Sequence, residues 1–585
     1  MTEIFEAVDA ADHRLALTAT GRLRDLNTAG VITAADVHVA QRLAALTGDT
    51  ETDVLVAIAL ATRAVRHGSV CLDLRTVGAI APELPWPDPE SWGATMAASR
   101  SVAAGVLRWE HDLLYLDRYR AQERQVCADL GTRAAQPPPQ VDRATLDAGI
   151  ARIFGHPSYA EQGAASRLAA TRWTSVITGG PGTGKTTTVA GLLALLVEQA
   201  EPTGRPLRIA LAAPTGKAAA RLQEAVAGAS LPSDVDRARV QALTATTLHR
   251  LLGTRRDNAT RFRHHRANRL PHDVVVVDES SMVSLTMMAR LVEAVRPDAR
   301  LVLVGDRHQL ASIDAGAVLA DLVGGFEGIP DSPVAELRTT HRFGSAIGRL
   351  AEAIRTGDAD AAMAALRQGG PEVELVETED AVAALRPRLV ASALAVRAAA
   401  EAGDATAALA AMDRHRLLCA HRRGPYGVQT WNDRTERWLA EETGQGIWSP
   451  WYAGRPVLVT ANDHGLGLYN GDTGVAVRTS EGELRVWVPG AAGVRDLAAT
   501  RLSDVETMHA MTIHKSQGSQ AEEVTVLMPD VDSRLLTREL FYTAVTRAQR
   551  LVRVVGTEES VRAAVAREAQ RASGLRQRLN SDQRA

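Results

Sequence analysis

Three lysines stand among 63 arginines in a chain of 585 residues, and each lies in a short motif suited to phosphate. Lys185 sits in GGPGTGKTTT, Lys217 in APTGKAAARL and Lys515 in TIHKSQGSQ. A chain so biased towards arginine keeps lysine where a compact ammonium on a thin stem must enter a cradle too narrow for the guanidinium fork. Around Lys185 the run is Gly179, Gly180, Pro181, Gly182, Thr183 and Gly184, followed by Thr186 and Thr187. Glycines let backbone N–H groups turn inwards around β- and γ-phosphates, and the helix that follows adds positive partial charge at its N-terminus. Lys185 then neutralises phosphate oxygens, and the Thr186 hydroxyl suits a magnesium ion. The implied chemistry is binding of a nucleoside triphosphate.

A second set of residues suits hydrolysis. The run Val274–Val277 ends in Asp278 and Glu279, two carboxylates at the C-terminal end of an apolar strand, where open α/β sheets bind ligands. Asp278 suits magnesium and Glu279 suits polarising an attacking water. Two acids after a strand also cap a following helix, so the pair gains weight only beside a phosphate loop. Gln309, in GDRHQL after the apolar run 301–304, is suited to sensing the γ-phosphate, with a polar turn as the plainer reading.

These residues need elements that bring them together. Ser175–Thr178 reads as a strand entering the glycine loop, and Val189–Leu196 as the helix leaving it, which is the context a phosphate loop requires. Short β-branched runs alternating with helices predict a parallel sheet wrapped by helices. Pro137-Pro138-Pro139 marks a boundary that helices do not cross, so residues 1–140 read as a separate, mostly helical domain. Its Trp86, Trp92, Trp109, Tyr115 and Tyr119 suit either a partner-docking surface or, more commonly, a core. Residues 146–333 read as a first α/β domain and 334–556 as a second, with Ala-rich helices over 346–412 and a change to short strands over 453–505. Asn470-Gly471 there is a hairpin signal. Residues 557–585 read as a polar, Arg-rich tail, expected to fray.

Net charge is −3, so no overall positive field attracts nucleic acid and any such surface must be a local groove. Cys71, Cys127 and Cys419 are far apart and lack CxxC spacing, which argues against a disulfide framework or structural zinc. The N-terminus is acidic, and no stretch reaches the roughly eighteen apolar residues of a membrane span. The expected setting is the cytoplasm, at the nucleoid.

The ordered motifs resemble superfamily 1 DNA helicases, and within them the RecD group. APTGKAAARL (213–222), TATTLHRLLG (244–253), VVVVDESSM (274–282), LVGDRHQLASIDAG (303–316), LRTTHRF (337–343), MTIHKSQGSQ (511–520) and LFYTAVTRAQ (540–549) follow one another in that family's order. The resemblance spans roughly residues 150–556. It implies two RecA-like P-loop NTPase motor domains, a helical N-terminal domain and a small SH3-like β insertion at 453–505. It also implies ATP and Mg2+ as cofactors, with Gln162 recognising adenine. Lys185, Glu279, Gln309, Arg342 and Arg547 become the catalytic candidates, the two arginines inserted from the second domain. DNA contacts fall to Thr215, Lys217, Thr247, His249, Thr512, His514, Lys515 and Ser516, and residues 254–271 match a strand-separating pin hairpin.

Only about 145 residues precede the motor, which favours the RecD members that assemble with RecB and RecC as a heterotrimer over longer stand-alone helicases of the group. The resemblance then implies 5′→3′ unwinding from a duplex end at double-strand breaks, for resection and recombinational repair. It also leaves the nuclease site of the exonuclease complex on RecB. The alternatives are a stand-alone repair helicase and an accessory subunit whose nucleotide only gates a partner nuclease.

Overall fold

The computed structural model describes residues 7, 9, 11–255, 258–340, 345–463, 465–490, 493–569 and 571–582. Arg342 therefore lies outside the described residues.

The valine run at 274–277 lies at the centre of the first α/β lobe because a strand covered on both faces must be apolar at every position. Val274 and Val276 enter one core, and Val275 and Val277 enter the other. Six strands form this sheet, in the order Val334–Leu337, Thr174–Gly179, Arg300–Gly305, Val274–Val277, Ile209–Ala213 and Ala245–Thr247. Every pair is parallel. Val334–Leu337 pairs with Thr174–Gly179, so the first lobe extends past the expected boundary at 333. A four-residue strand carries no mark of the sheet it will join, and only pairing decides that.

The second lobe has a five-stranded parallel sheet in the order Val373–Glu377, Ala548–Gly556, Ala521–Leu527, His415–Cys419 and Ala510–Thr512. Helices Ser345–Thr356, Ala359–Gln368, Ala381–Glu401 and Ala405–Arg414 account for the Ala-rich stretch. After helix Val428–Thr443, which packs Trp431 and Trp438 on the parallel sheet, the chain leaves the lobe to build an antiparallel five-stranded sheet from Pro456–Val459, Thr473–Arg478, Leu484–Gly490, Gly493–Ala498 and Val505–Thr507. Its core of Val457, Val459, Ala476, Val486 and Val488 is its own.

The N-terminal domain is helical, with an added three-stranded antiparallel sheet. Trp92 and Tyr115 are fully buried, and Trp86, Trp109 and Tyr119 are partly buried against the same clusters, so these aromatics serve chiefly as core. Helix Asp117–Ala134 runs onto the first lobe, where the buried Arg133 guanidinium donates to Thr174 Oγ1 at 2.8 Å and to the carbonyls of Trp173 and Arg296.

Through residue 582 the C-terminal segment is packed, not frayed. Beyond helix Glu558–Ala566 the chain crosses back to the first lobe, and helix Leu575–Asp582 buries Leu575 and Leu579 there. Glu123, fully buried in the N-terminal domain, accepts from Ser573 Oγ, Gly574 N and Arg578 Nε at 2.9–3.1 Å. Arg-rich composition reads as solvated only while those arginines have no buried carboxylate to meet. All three cysteines are buried and free. Among the described residues no helix is long and apolar enough to cross a membrane.

Candidate functional site

The phosphate loop joins strand Thr174–Gly179 to helix Lys185–Ala200. Gly182 and Gly184 hold φ of +81° and +82°, a region costly to residues with a Cβ, so the sharp entry to the helix depends on glycine there. The Lys185 ammonium donates to the carbonyls of Gly179 and Gly180 at 2.7 and 2.9 Å, folded back over the loop it serves. Thr183 Oγ1 donates to Gly180 O at 2.8 Å. Gln162 is fully buried beneath the loop and donates to Thr183 O at 2.9 Å, so it braces the cradle from behind. Thr186 and Thr187 occupy the first turn of the helix.

Beside the loop, burial and the neighbouring Glu279 hold the Asp278 carboxyl well above the usual carboxylate range, with Lys185 opposing them. Glu279 N donates to Asp278 Oδ1 at 2.8 Å. Glu279 itself has φ of +51°, a left-handed conformation that costs a non-glycine residue roughly 1–3 kcal/mol and is found mostly at functional sites. A buried carboxyl disfavoured as an anion suits a dication, and Mg2+ usually takes one or two protein oxygens plus phosphate oxygens. Thr186 and Asp278 fit that pattern.

The second lobe closes over this site. Arg547 is buried and donates to Thr543 O and Ser519 O. A Cβ built on Gly180 would lie 3.0 Å from the Tyr542 hydroxyl, so that ring reaches the phosphate loop from the opposite lobe. Gln309 is buried and donates to Asp306 Oδ2 at 3.1 Å. Arg221, to which the motif reading gave no role, lies where the charges of Arg547 and Glu279 both act on it.

A cleft of about 1230 Å³ opens between both lobes and the β insertion. Thr215, Lys217, Thr247, His249, His514 and Lys515 all line it. Thr512 and Ser516 do not: the Thr512 hydroxyl accepts from Lys515 N at 3.2 Å, and the buried Ser516 hydroxyl donates to Ile513 O at 2.7 Å. Both shape the lysine's loop from within. Burial lowers His249 and pushes His514 down to about 4, which favours the neutral form of each. Burial lowers Lys515 as well and brings Lys217 down to about 7, where Arg416 and Arg221 add to the effect.

The two cleft lysines share a partner that the motifs did not reveal. Lys217, from the first lobe, donates to Thr473 Oγ1 at 3.4 Å, and Lys515, from the second, donates to Asn470 Oδ1 at 2.6 Å. The two acceptors lie three residues apart in the β insertion, one in its turn and one opening the strand that follows. Its Tyr469 ring lies 3.1 Å from a Cβ built on Gly216. The Asn470-Gly471 pair was legible as a turn, but its position over the cleft was not.

At the cleft edge, Thr254–Arg255 and Asn258–Phe262 pair antiparallel as a short ribbon. Residues 256 and 257, part of the expected pin, lie outside the described residues. Phe262 is buried against the His249 ring, 5.9 Å between centroids, so the ribbon is anchored in the cleft wall. Among the described residues no group of three or more His, Cys, Asp or Glu side chains could hold a metal.

Two parallel-sheet lobes meeting at a phosphate loop, with a second cleft across both, define a P-loop NTPase motor of the helicase class. Family models match in the same order: the N-terminal domain of RecBCD enzyme subunit RecD over 28–117, an AAA domain over 158–378, and a UvrD-like helicase C-terminal domain over 507–555. The RecBCD enzyme subunit RecD of Mycolicibacterium smegmatis is 61% identical over 560 residues, covering 94% of this chain and 98% of that one. That of Mycobacterium tuberculosis is 59% identical over 577 residues, covering 97% and 99%. An ATP-dependent RecD2 DNA helicase from Deinococcus radiodurans is 30% identical over 478 residues, covering 80% of this chain and 58% of that one. The chain belongs to the RecD family.

Proposed function

We propose that this chain converts ATP hydrolysis into 5′→3′ travel along one DNA strand, as the RecD subunit of a complex with RecB and RecC. As a family member it is an ATP-dependent DNA helicase subunit, and it would work in the cytoplasm on the duplex ends of double-strand breaks, feeding resection and recombinational repair. One observation supports the mechanism: the Tyr542 hydroxyl of the second lobe lies against Gly180 of the phosphate loop, so the two lobes meet at the candidate nucleotide site. Lys185 and the loop amides bind the triphosphate, Glu279 orients the attacking water and Gln309 monitors the γ-phosphate. Thr186 and Asp278 would hold Mg2+, which neutralises phosphate charge when bound. Arg547, with Arg342, stabilises the transferring phosphoryl group as the lobes close. Gln162, fully buried and bonded to Thr183 O, would read adenine only by giving up that bond, and otherwise braces the loop around the nucleotide.

Thr215, Lys217, Thr247, His249, His514 and Lys515 would hold the strand by its backbone, with Thr512 and Ser516 supporting them, so binding should show little sequence preference and a steep salt dependence. The ribbon at the cleft edge would part the duplex.

The decisive experiment is Lys185→Gln, assayed alone and with RecB and RecC. ATP hydrolysis stimulated by oligo(dT) should fall at least about a hundredfold, because the lysine acts on charge that grows in the transition state. Unwinding of a 5′-tailed duplex by this subunit should disappear with it. Undiminished hydrolysis, or preference for a 3′ tail in the unmodified chain, would overturn the reading.

A further inference from the structure

The segment after strand Arg300–Gly305 is held by the second lobe at three points. Tyr542 donates its hydroxyl to Asp306 Oδ2 at 3.1 Å. Thr543 Oγ1 accepts from Leu310 N at 2.9 Å, and Gln517 Nε2 donates to Leu310 O at 2.7 Å. Asp306 Oδ2 also accepts the Gln309 amide at 3.1 Å, and Asp306 Oδ1 accepts His308 N at 3.0 Å. One carboxylate oxygen, buried in the first lobe, thus joins a side chain expected to monitor the γ-phosphate to a hydroxyl from the other lobe.

A buried tyrosine in a helix is ordinarily core, and the Tyr542 ring does belong to the second lobe's apolar cluster. Packing accounts for the ring but not for the hydroxyl, which leaves its own lobe for an acceptor 236 residues away and lies against the phosphate loop at Gly180. The hydroxyl stays protonated, since burial and the adjacent Asp306 raise it well above the ordinary tyrosine range, so it remains a donor at any working pH.

We propose that Tyr542 is a positioning residue for ATP hydrolysis: from the second lobe it holds Asp306, Asp306 holds the Gln309 amide, and Gln309 is therefore set for the γ-phosphate only while the lobes are closed. This deepens the motor reading and rests on it. Gln517 lies two residues past Lys515 and lines the strand cleft, so the same segment also meets the DNA side, which gives strand binding a short mechanical route to Gln309.

The test uses the full chain with Tyr542→Phe, which keeps the ring, with Asp306→Asn, and with the double variant. Steady-state ATP hydrolysis is followed with saturating oligo(dT), together with a thermal melt. The expected result is a fall in kcat of about tenfold for Tyr542→Phe, with KM for ATP within about twofold of the unmodified chain and no early melting. The double variant should be no slower than the worse single variant, because both changes break one relay. Unchanged kcat in Tyr542→Phe, a raised KM with kcat intact, or additive losses in the double variant would each overturn the proposal. If Tyr542→Phe melts early, Asp306→Asn is decisive on the same terms, and unchanged kcat there overturns it. Loss of oligo(dT)-stimulated hydrolysis in the unmodified chain, or its retention in Lys185→Gln, would instead sink the motor reading itself.

Discussion

Lys217 shows how far a residue's environment can move its chemistry from what its type suggests. Its ammonium is brought to about 7 because burial and the nearby Arg416 and Arg221 outweigh Asp413 and Asp472. A backbone phosphate beside it would favour the charged form, so strand binding should take up a proton above pH 7. Affinity should then weaken as pH rises from 7 towards the ordinary lysine value of 10.5, by up to about tenfold per pH unit where the slope is steepest. The folded chain alone has the opposite trend at this group, gaining stability over that range because the unfolded lysine still binds its proton. Fluorescence anisotropy with oligo(dT) at pH 7 and pH 9, on the unmodified chain and on Lys217→Gln, measures this. A flat profile in the unmodified chain would show that Lys217 does not meet phosphate. The lysine and the two histidines were legible as contact candidates from their motifs, but their charge states were not, since burial is a property of the folded neighbourhood.

At the scale of elements, the segment at 469–473 and the ribbon at 254–262 both border the strand cleft. Asn470 occupies the Lys515 ammonium, so Asn470→Ala should release that lysine for phosphate and tighten oligo(dT) binding by about twofold to fivefold, whereas Lys515→Gln should weaken it. Weaker binding by Asn470→Ala in an equilibrium titration would mean that the turn itself holds the strand. For the ribbon, replacing residues 255–260 by a two-residue turn should leave oligo(dT)-stimulated ATP hydrolysis within about twofold while slowing duplex unwinding about tenfold or more. Equal unwinding by the trimmed chain in a stopped-flow assay would end the pin assignment. The strands of the insertion were readable as a change to short strands, and Asn470-Gly471 does form a turn, though inside the long 460–472 connection and not as a two-residue hairpin. That the 469–473 segment bridges lysines from two lobes was not readable, because cross-domain contacts leave no periodicity in either segment.

For the whole molecule, the C-terminal segment ties the N-terminal domain to the first lobe, through the buried Glu123–Arg578 pair and the packing of Leu575 and Leu579. Removing one partner of a buried, hydrogen-bonded ion pair typically costs about 3–5 kcal/mol. Arg578→Ala should therefore lower the thermal midpoint by several degrees. Truncation after residue 567 should make the N-terminal domain melt as a separate, earlier transition in calorimetry. A single unshifted transition in the truncated chain would show that the strap contributes nothing. The composition of this tail, rich in arginine and poor in large apolar residues, gave no sign of burial, because the carboxylates that receive it lie more than 450 residues away.

The phosphate loop and the acid pair after the valine strand are determined locally: backbone torsions, strand polarity and a helix start are set by adjacent residues, so the chain alone specified a nucleotide-binding α/β lobe, and the resemblance of its ordered motifs implied the second motor lobe. Tertiary structure alone decided that Val334–Leu337 completes the first sheet, that one segment of the β insertion caps two lysines, and that Asp306 meets Tyr542 across 236 residues. Those contacts are chosen by packing and burial among distant segments, and no local pattern encodes which distant partner a side chain will meet.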